Sequence, residues 1–189
     1  VAIIGEANKS IFLALALGGE SGAFVNLKRF NTADFASINL DDFYVVILSG
    51  GNYRQGDMTR LANYVGNGGS TLIFANELAD RNVFTQSVQQ FGFGALNEKS
   101  FPDNQKGVFL NTDKIHPLFQ GVFNQNTDGK SNVESPQITK AFPVSSGYSI
   151  IDMSGGAFLS EVKYGSGRAI YCAVSPDASE SNFPLTSIF

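Results

Sequence analysis

The chain has 189 residues, 43% of them hydrophobic and 16% charged, with a formal net charge of −4; this is enough apolar material for one packed domain and too much for a disordered chain. The negative balance and the scattered basic residues exclude an electrostatic footprint for nucleic acid. One Cys and one His exclude an internal disulfide and a thiolate zinc cluster, and leave no ligand set at metal spacing.

The first half alternates strand-length apolar runs with helical periods, the pattern of βαβ units. Val1 to Gly5 reads as a buried strand, and Ser10 to Leu17 as a short apolar helix stopped by Gly18-Gly19. Phe24 to Phe30 reads as the second strand. Phe43 to Leu48, closed by Ser49-Gly50-Gly51, has the continuous apolar character of a central parallel strand. Met58, Leu61, Ala62 and Val65 then recur at helical spacing between Gln55 and Val65, ahead of the stop at Gly66-Asn67-Gly68-Gly69. Thr71 to Ala75 is the next predicted strand, and Ala79 to Phe91 the next helix, with Val83, Phe84, Val88 and Phe91 on one face.

The second half is more polar. Asn97 to Lys106 and Asn124 to Val133 read as exposed loops. Phe158 to Tyr164 and Arg168 to Val174 read as strands joined by Gly165-Ser166-Gly167 into an antiparallel hairpin. Leu185, Ile188 and Phe189 have the spacing of a short helix after Pro184 that packs on the sheet. The Phe119, Phe123 and Phe142 set reads as core. The fold class is therefore α/β: one flavodoxin-like domain over 1–189, its mainly parallel sheet covered by helices on both faces, with an antiparallel C-terminal hairpin. No apolar run approaches the roughly 20 residues of a membrane span. The chain opens on Val1 without Met and stops in an apolar stretch, so it reads as a piece of a longer protein.

In an open parallel sheet, ligands bind beyond the carboxyl ends of the strands at the topological switch point. That rule selects Glu6, Asn8, Gly51, Asn52, Asn76, Glu77, Ser175 and Asp177 as a candidate ligand-binding rim. Glu6 and Glu77 could face each other as paired carboxylates, but a solvated rim is the favoured reading. There is no Gly-x-Gly-x-x-Gly after the first strand and no Walker Gly-Lys-Ser, so no nucleotide cofactor is implied. The third strand lacks the acidic end of a phosphoacceptor domain. Cys172, inside Ala169-Ile170-Tyr171-Cys172-Ala173-Val174, reads as a small core hydrophobe, and His116, before Pro117, as a capping or surface residue.

The Gly-Gly after Phe43 to Ser49 and the turn after Thr71 to Ala75 resemble the class I glutamine amidotransferase superfamily. Active members of that superfamily place a nucleophilic Cys at the elbow after the fourth strand and His-Pro-Glu after the last core strand. Here these positions read Phe74-Ala75-Asn76-Glu77 and Ser175-Pro176-Asp177, so the resemblance implies a domain without catalytic residues, since neither position holds a thiolate or an imidazole. His116-Pro117-Leu118-Phe119-Gln120-Gly121-Val122-Phe123, Val162 to Arg168 and Ser181 to Phe189 further resemble the amidotransferase-like domain of Bat-type aerotolerance membrane proteins. That likeness implies a scaffold at the periplasmic face of a bacterial inner membrane, held by flanking helices and meeting other envelope domains or proteins. Two alternatives stand beside it. One is a hydrolase with a nucleophile or base among Ser49, Ser175 and His116, and the other a small-ligand or carbohydrate-binding domain using the rim.

Overall fold

The structure, a computed structural model, describes residues 1–18, 25–77, 80–120, 134–186 and 189. Strand β1 (Ala2–Gly5) is buried along its length, as an apolar run between two covered faces must be. Helix α1 (Ile11–Gly18) follows, and β2 (Lys28–Phe30) pairs parallel to β1 at the sheet edge. Two 3₁₀ turns, Thr32–Ser37 and Leu40–Asp42, then lead into β3 (Val45–Ser49). Phe35 is fully buried in the first turn. The Arg60 guanidinium fixes that connection by donating to the carbonyls of Phe35 at 2.9 Å and Ile38 at 2.7 Å.

Helix α2 (Gln55–Gly66) buries Met58, Leu61, Ala62 and Val65, the predicted stripe. After β4 (Ser70–Phe74), helix α3 (Arg81–Gln90) starts at Asp80, whose carboxylate accepts the amides of Asn82 and Val83 at 3.0 and 3.3 Å; these satisfy donors that the first helical turn leaves unpaired. The remaining strands are β5 (Lys99–Ser100), β6 (Phe109–Thr112), β7 (Lys140–Ala141), β8 (Tyr148–Met153), β9 (Gly156–Tyr164) and β10 (Gly167–Cys172).

Among the described residues, eight strands form one sheet in the order β2-β1-β3-β4-β10-β9-β8-β6, while β5 pairs with β7 apart from it. The first five in that order are parallel, and β9, β8 and β6 extend the sheet in antiparallel pairs. From β1 the chain goes to one side for β2 and to the other for β3, which makes the β1/β3 gap the switch point. Side chains alternate between faces. Leu13 and Leu17 of α1 share an apolar cavity of about 430 Å³ with Ile47, Leu72 and Ile170, and Tyr171 meets Phe93 on the other face with ring centroids 5.8 Å apart.

The C-terminal helix predicted from Leu185, Ile188 and Phe189 is instead a single 3₁₀ turn, Phe183–Leu185, ended by extended backbone at Thr186. Leu185 is 66% exposed, and Phe183 takes the buried place, its ring edge-on to Phe158 at 4.9 Å and to Phe189 at 5.1 Å. Phe24, Ala79, Phe123, Ile188 and the predicted loop 124–133 lie outside the described residues.

Candidate ligand-binding site

At the switch point, the turn leaving β1 is closed by the amides of Lys9 and Ser10 donating to the Glu6 carbonyl at 3.1 and 3.2 Å. Strand β3 is followed by Gly50 and Gly51, with φ of 79° and 102°, a region open to glycine at little cost. Here the glycines also make room. A Cβ on Gly50 would lie 3.0 Å from Cγ of Lys9, and one on Gly51 would collide with the Thr32 methyl. Lys9 therefore lies across Gly50 and reaches Asp177 as an ion pair, with Ser179 Oγ at 3.5 Å. The Asn76 amide donates to the Gly51 carbonyl. The Tyr53 hydroxyl donates to the carbonyls of Ile4 at 3.0 Å and Gly50 at 2.7 Å, and burial keeps it protonated by raising its pKa.

The predicted rim is thus divided by the fold. Gly51, Asn76 and Asp177 bond to neighbouring strand ends. Ser175 is buried, Glu6 half-buried, and Asn8 and Asn52 are exposed. Glu77 pairs with Lys140 rather than with Glu6.

Asn76 and Glu77 also open onto a cavity of about 240 Å³ beyond β4, whose other walls are Arg81, Glu98, Lys140 and the apolar Phe84, Leu96 and Phe142. The β5–β7 ladder pairs Lys99 with Ala141 and Ser100 with Lys140, which brings Glu98 beside Lys140. The Lys140 ammonium bonds to Glu77, lies 3.2 Å from Glu98 and sits 5.3 Å above the Phe142 ring, while Arg81 pairs with Glu98 at 2.9 Å. Hydrogen bonding from Lys140, reinforced by the charges of Lys140 and Arg81, holds the Glu98 carboxyl below its usual range. The hydrogen bonds to Glu77 and Glu98 raise the pKa of Lys140. Two anions and two cations so alternate around an apolar floor.

The backbone amide of Lys140 donates to the carbonyl of Glu180, a residue 2% exposed that sequence reading did not select. Its Oε2 accepts the Ser175 amide at 2.8 Å, and its Oε1 is buried without a hydrogen-bond partner. Burial, with the negative charges of Glu77 and Asp177, pushes its carboxyl up to about 7 against the opposing Ser175 amide and Lys9.

The three residues considered for hydrolysis do not assemble. His116 accepts the Leu118 amide at Nδ1, 3.2 Å away, so Nε2 carries the proton and donates to Glu161 at 3.0 Å. Glu161 is paired with Ile170, in the body of the sheet, whereas Ser49 and Ser175 lie at the carboxyl ends. Ser49 Oγ is buried with no partner. Cys172 is buried, and burial pushes its thiol up to about 12, which suits a core residue and not a nucleophile. Among the described residues no group of His, Cys, Asp and Glu could hold a metal ion, and no helix is long and apolar enough to cross a membrane.

The sheet order and switch point define an α/β protein with a flavodoxin-like, mainly parallel sheet. No protein-family model and no curated protein matches the chain. Among solved structures it is similar to Cytoplasmic Protein STM1381 from Salmonella typhimurium LT2, with TM-score 0.70, 11% identity, and coverage of 97% of this chain and 90% of that one. Cytoplasmic Protein STM3548 from Salmonella typhimurium gives TM-score 0.68, 12% identity, and coverage of 99% and 93%. An exo-β-1,4-mannosidase from an Opitutaceae bacterium gives 0.60, 10% identity, and coverage of 92% of this chain but 31% of the enzyme. A β-galactosidase from Bacillus circulans sp. alkalophilus gives 0.55, 14% identity, and coverage of 99% and 30%. At these identities the likeness is one of fold, and the chain spans under a third of either glycosidase.

These findings overturn the family expectation. The similar structures named above are Salmonella proteins and glycosidases, and none of them is named as a glutamine amidotransferase or a Bat-type aerotolerance protein. The envelope-scaffold role and the periplasmic placement rested on that resemblance and fall with it; the two proteins matched over most of their length are named as cytoplasmic. The reason is physical. Glycine turns after parallel strands and a Pro-led 3₁₀ turn such as Pro117–Phe119 occur in many unrelated sequences of this layout, so short matches at such places do not by themselves identify a family.

Proposed function

We propose that this chain is a ligand-binding domain without catalytic function, and that the cavity beyond β4 takes a small polyhydroxylated ligand, one sugar unit in size. The observation that carries this reading is the alternation Glu77–Lys140–Glu98–Arg81 around Phe84, Leu96 and Phe142. Sugar hydroxyls both donate and accept; carboxylates here accept, and the ammonium and guanidinium donate. The C–H face of a sugar ring would rest on the apolar floor. A volume of about 240 Å³ is below the roughly 300–1,000 Å³ of sites for drug-sized ligands, which favours one ring over a longer chain. The likeness of this fold to parts of a β-galactosidase and an exo-β-1,4-mannosidase supports the choice of carbohydrate.

The test is titration calorimetry and amide NMR with galactose, mannose, glucose and their β-linked disaccharides. Binding in the range of about 0.1–1 mM, about −4 to −5.5 kcal/mol, is expected, with shifts at Leu96 and Phe142 that Glu98→Gln and Lys140→Ala abolish. No binding by any sugar would sink the assignment. Release of nitrophenol from aryl glycosides, lost in Glu77→Gln or Glu98→Gln, would replace it with a hydrolase.

A further inference from the structure

Glu180 is a carboxyl placed where a charge is poorly tolerated, on a segment that holds one wall of the pocket. Around it stand Glu77 from the turn after β4, Asp177 from its own loop, Lys9 from the turn after β1, and Tyr171 and Cys172 of β10. Lys9, the cation of this set, is already paired with Asp177. Tyr171 and Cys172 are neutral, their pKa values raised by burial. An ionised Glu180 would add a third negative charge with one oxygen unsatisfied, and an uncompensated buried charge costs far more than a neutral acid in the same place.

The backbone of the same residue does structural work on the pocket. The Glu180 carbonyl accepts the amide of Thr139 at 2.8 Å, its hydroxyl at 2.7 Å and the amide of Lys140 at 3.3 Å. The Gln137 amide donates to Asn182 Oδ1 at 2.6 Å, the Asn182 amide returns to the Gln137 carbonyl at 3.2 Å, and Ile138 bridges Ser181. Residues 180–182 are thus zipped to 137–140, which carry Lys140 into the cavity. We propose that Glu180 is a protonation-linked positioning residue: as the neutral acid it holds this zipper and Lys140 in place, and its ionisation loosens both. For ligand affinity, the consequence rests on the pocket being the binding site proposed above; for stability and backbone protection, it does not.

The sign follows from linkage. A carboxyl raised from 4.5 to about 7 in the folded state binds its proton more tightly there than in the unfolded chain. Its contribution is fully present below the unfolded value and is lost as pH rises through the folded one. Carboxyls with lowered values, such as Asp177 and Glu98, finish their opposite effect below about pH 5; imidazole and α-amino groups titrate in the unfolded chain between about pH 5 and 8, so the part due to Glu180 is the difference between wild type and Glu180→Gln over that interval.

The experiment compares wild type with Glu180→Gln, a neutral isostere. Carboxyl ¹³C NMR should place the wild-type Glu180 midpoint near neutrality. The melting temperature should fall by about 4–8 °C from pH 5 to pH 8 in wild type, with lower amide protection at Thr139 and Lys140, and both changes should be clearly smaller in Glu180→Gln. Any sugar that binds should bind several-fold more weakly at pH 8 in wild type alone. A midpoint below pH 5, or equal pH dependence in the variant, overturns the proposal. If no sugar binds but the protection change is present and vanishes in Glu180→Gln, the ligand assignment fails and the role of Glu180 stands.

Discussion

Lys9, on the turn after β1, passes over Gly50 and pairs with Asp177 beyond β10, so one ion pair spans the carboxyl ends of β3 and β4. Both side chains are 16% exposed, which shields the pair from solvent and salt more than a surface bridge. Burial alone would raise the Asp177 carboxyl, but hydrogen bonds from Lys9 and Ser179 hold it below its usual range.

Lys9→Met should therefore cost about 1–2 kcal/mol, above the roughly 0–1 kcal/mol of an exposed pair. A depressed carboxyl contributes stability that is present above the unfolded pKa and lost as pH falls through the folded one. Urea melts from pH 7 to pH 2 should show acid destabilisation below pH 4 in the parent and less of it in Lys9→Met. Equal slopes would show that the pair contributes nothing.

Phe183→Ala should remove about 3–5 kcal/mol, as large aromatic truncations in cores do, because its ring closes against Phe158 and Phe189. Leu185→Ala, two residues on and mostly exposed, should stay within about 0.5 kcal/mol. Thermal melts of the two variants decide whether Phe183 or the predicted helical face anchors this segment.

The two glycines after β3 make different demands from Gly92. Gly92 also has a positive φ, 94°, yet a Cβ added there would meet no atom within 4 Å, so Gly92→Ala should cost about 1–2 kcal/mol of backbone strain alone. Gly51→Ala should cost more, since its Cβ would meet Thr32. The paired variant Gly51→Ala with Thr32→Ser should recover part of the difference in denaturant melts.

Cys172 should resist thiol reagents in the native protein and react at a rate set by opening of the sheet, accelerating with denaturant. Rapid alkylation at pH 8 would contradict a thiol buried and raised to about 12. Cys172→Ala should cost on the order of 1 kcal/mol.

The amino-acid sequence by itself determined β1, β3, β4, α2 and the switch-point turns. Ile3-Ile4 and Val46-Ile47-Leu48 are runs that only a strand covered on both faces can bury, and the Met58–Val65 stripe closes on a period of 3.6. The β9–β10 hairpin was legible because its turn residues lie between its strands. The outer strands β6 and β8 were not, since Phe109–Thr112 is largely exposed and pairs across an irregular register with a segment some forty residues away. Asn76 and Glu77 were found as ends of a strand, but their partners Glu98 and Lys140 meet only through the β5–β7 ladder. Glu180 reads locally as one more polar loop residue; its burial depends on how residues 180–182 dock on 137–140. Periodicity records which side of an element is covered, because that is a property of neighbouring residues. Which distant segment does the covering, and which charges it brings together, depends on contacts between segments far apart in the chain, and those arise only when the sheet is assembled.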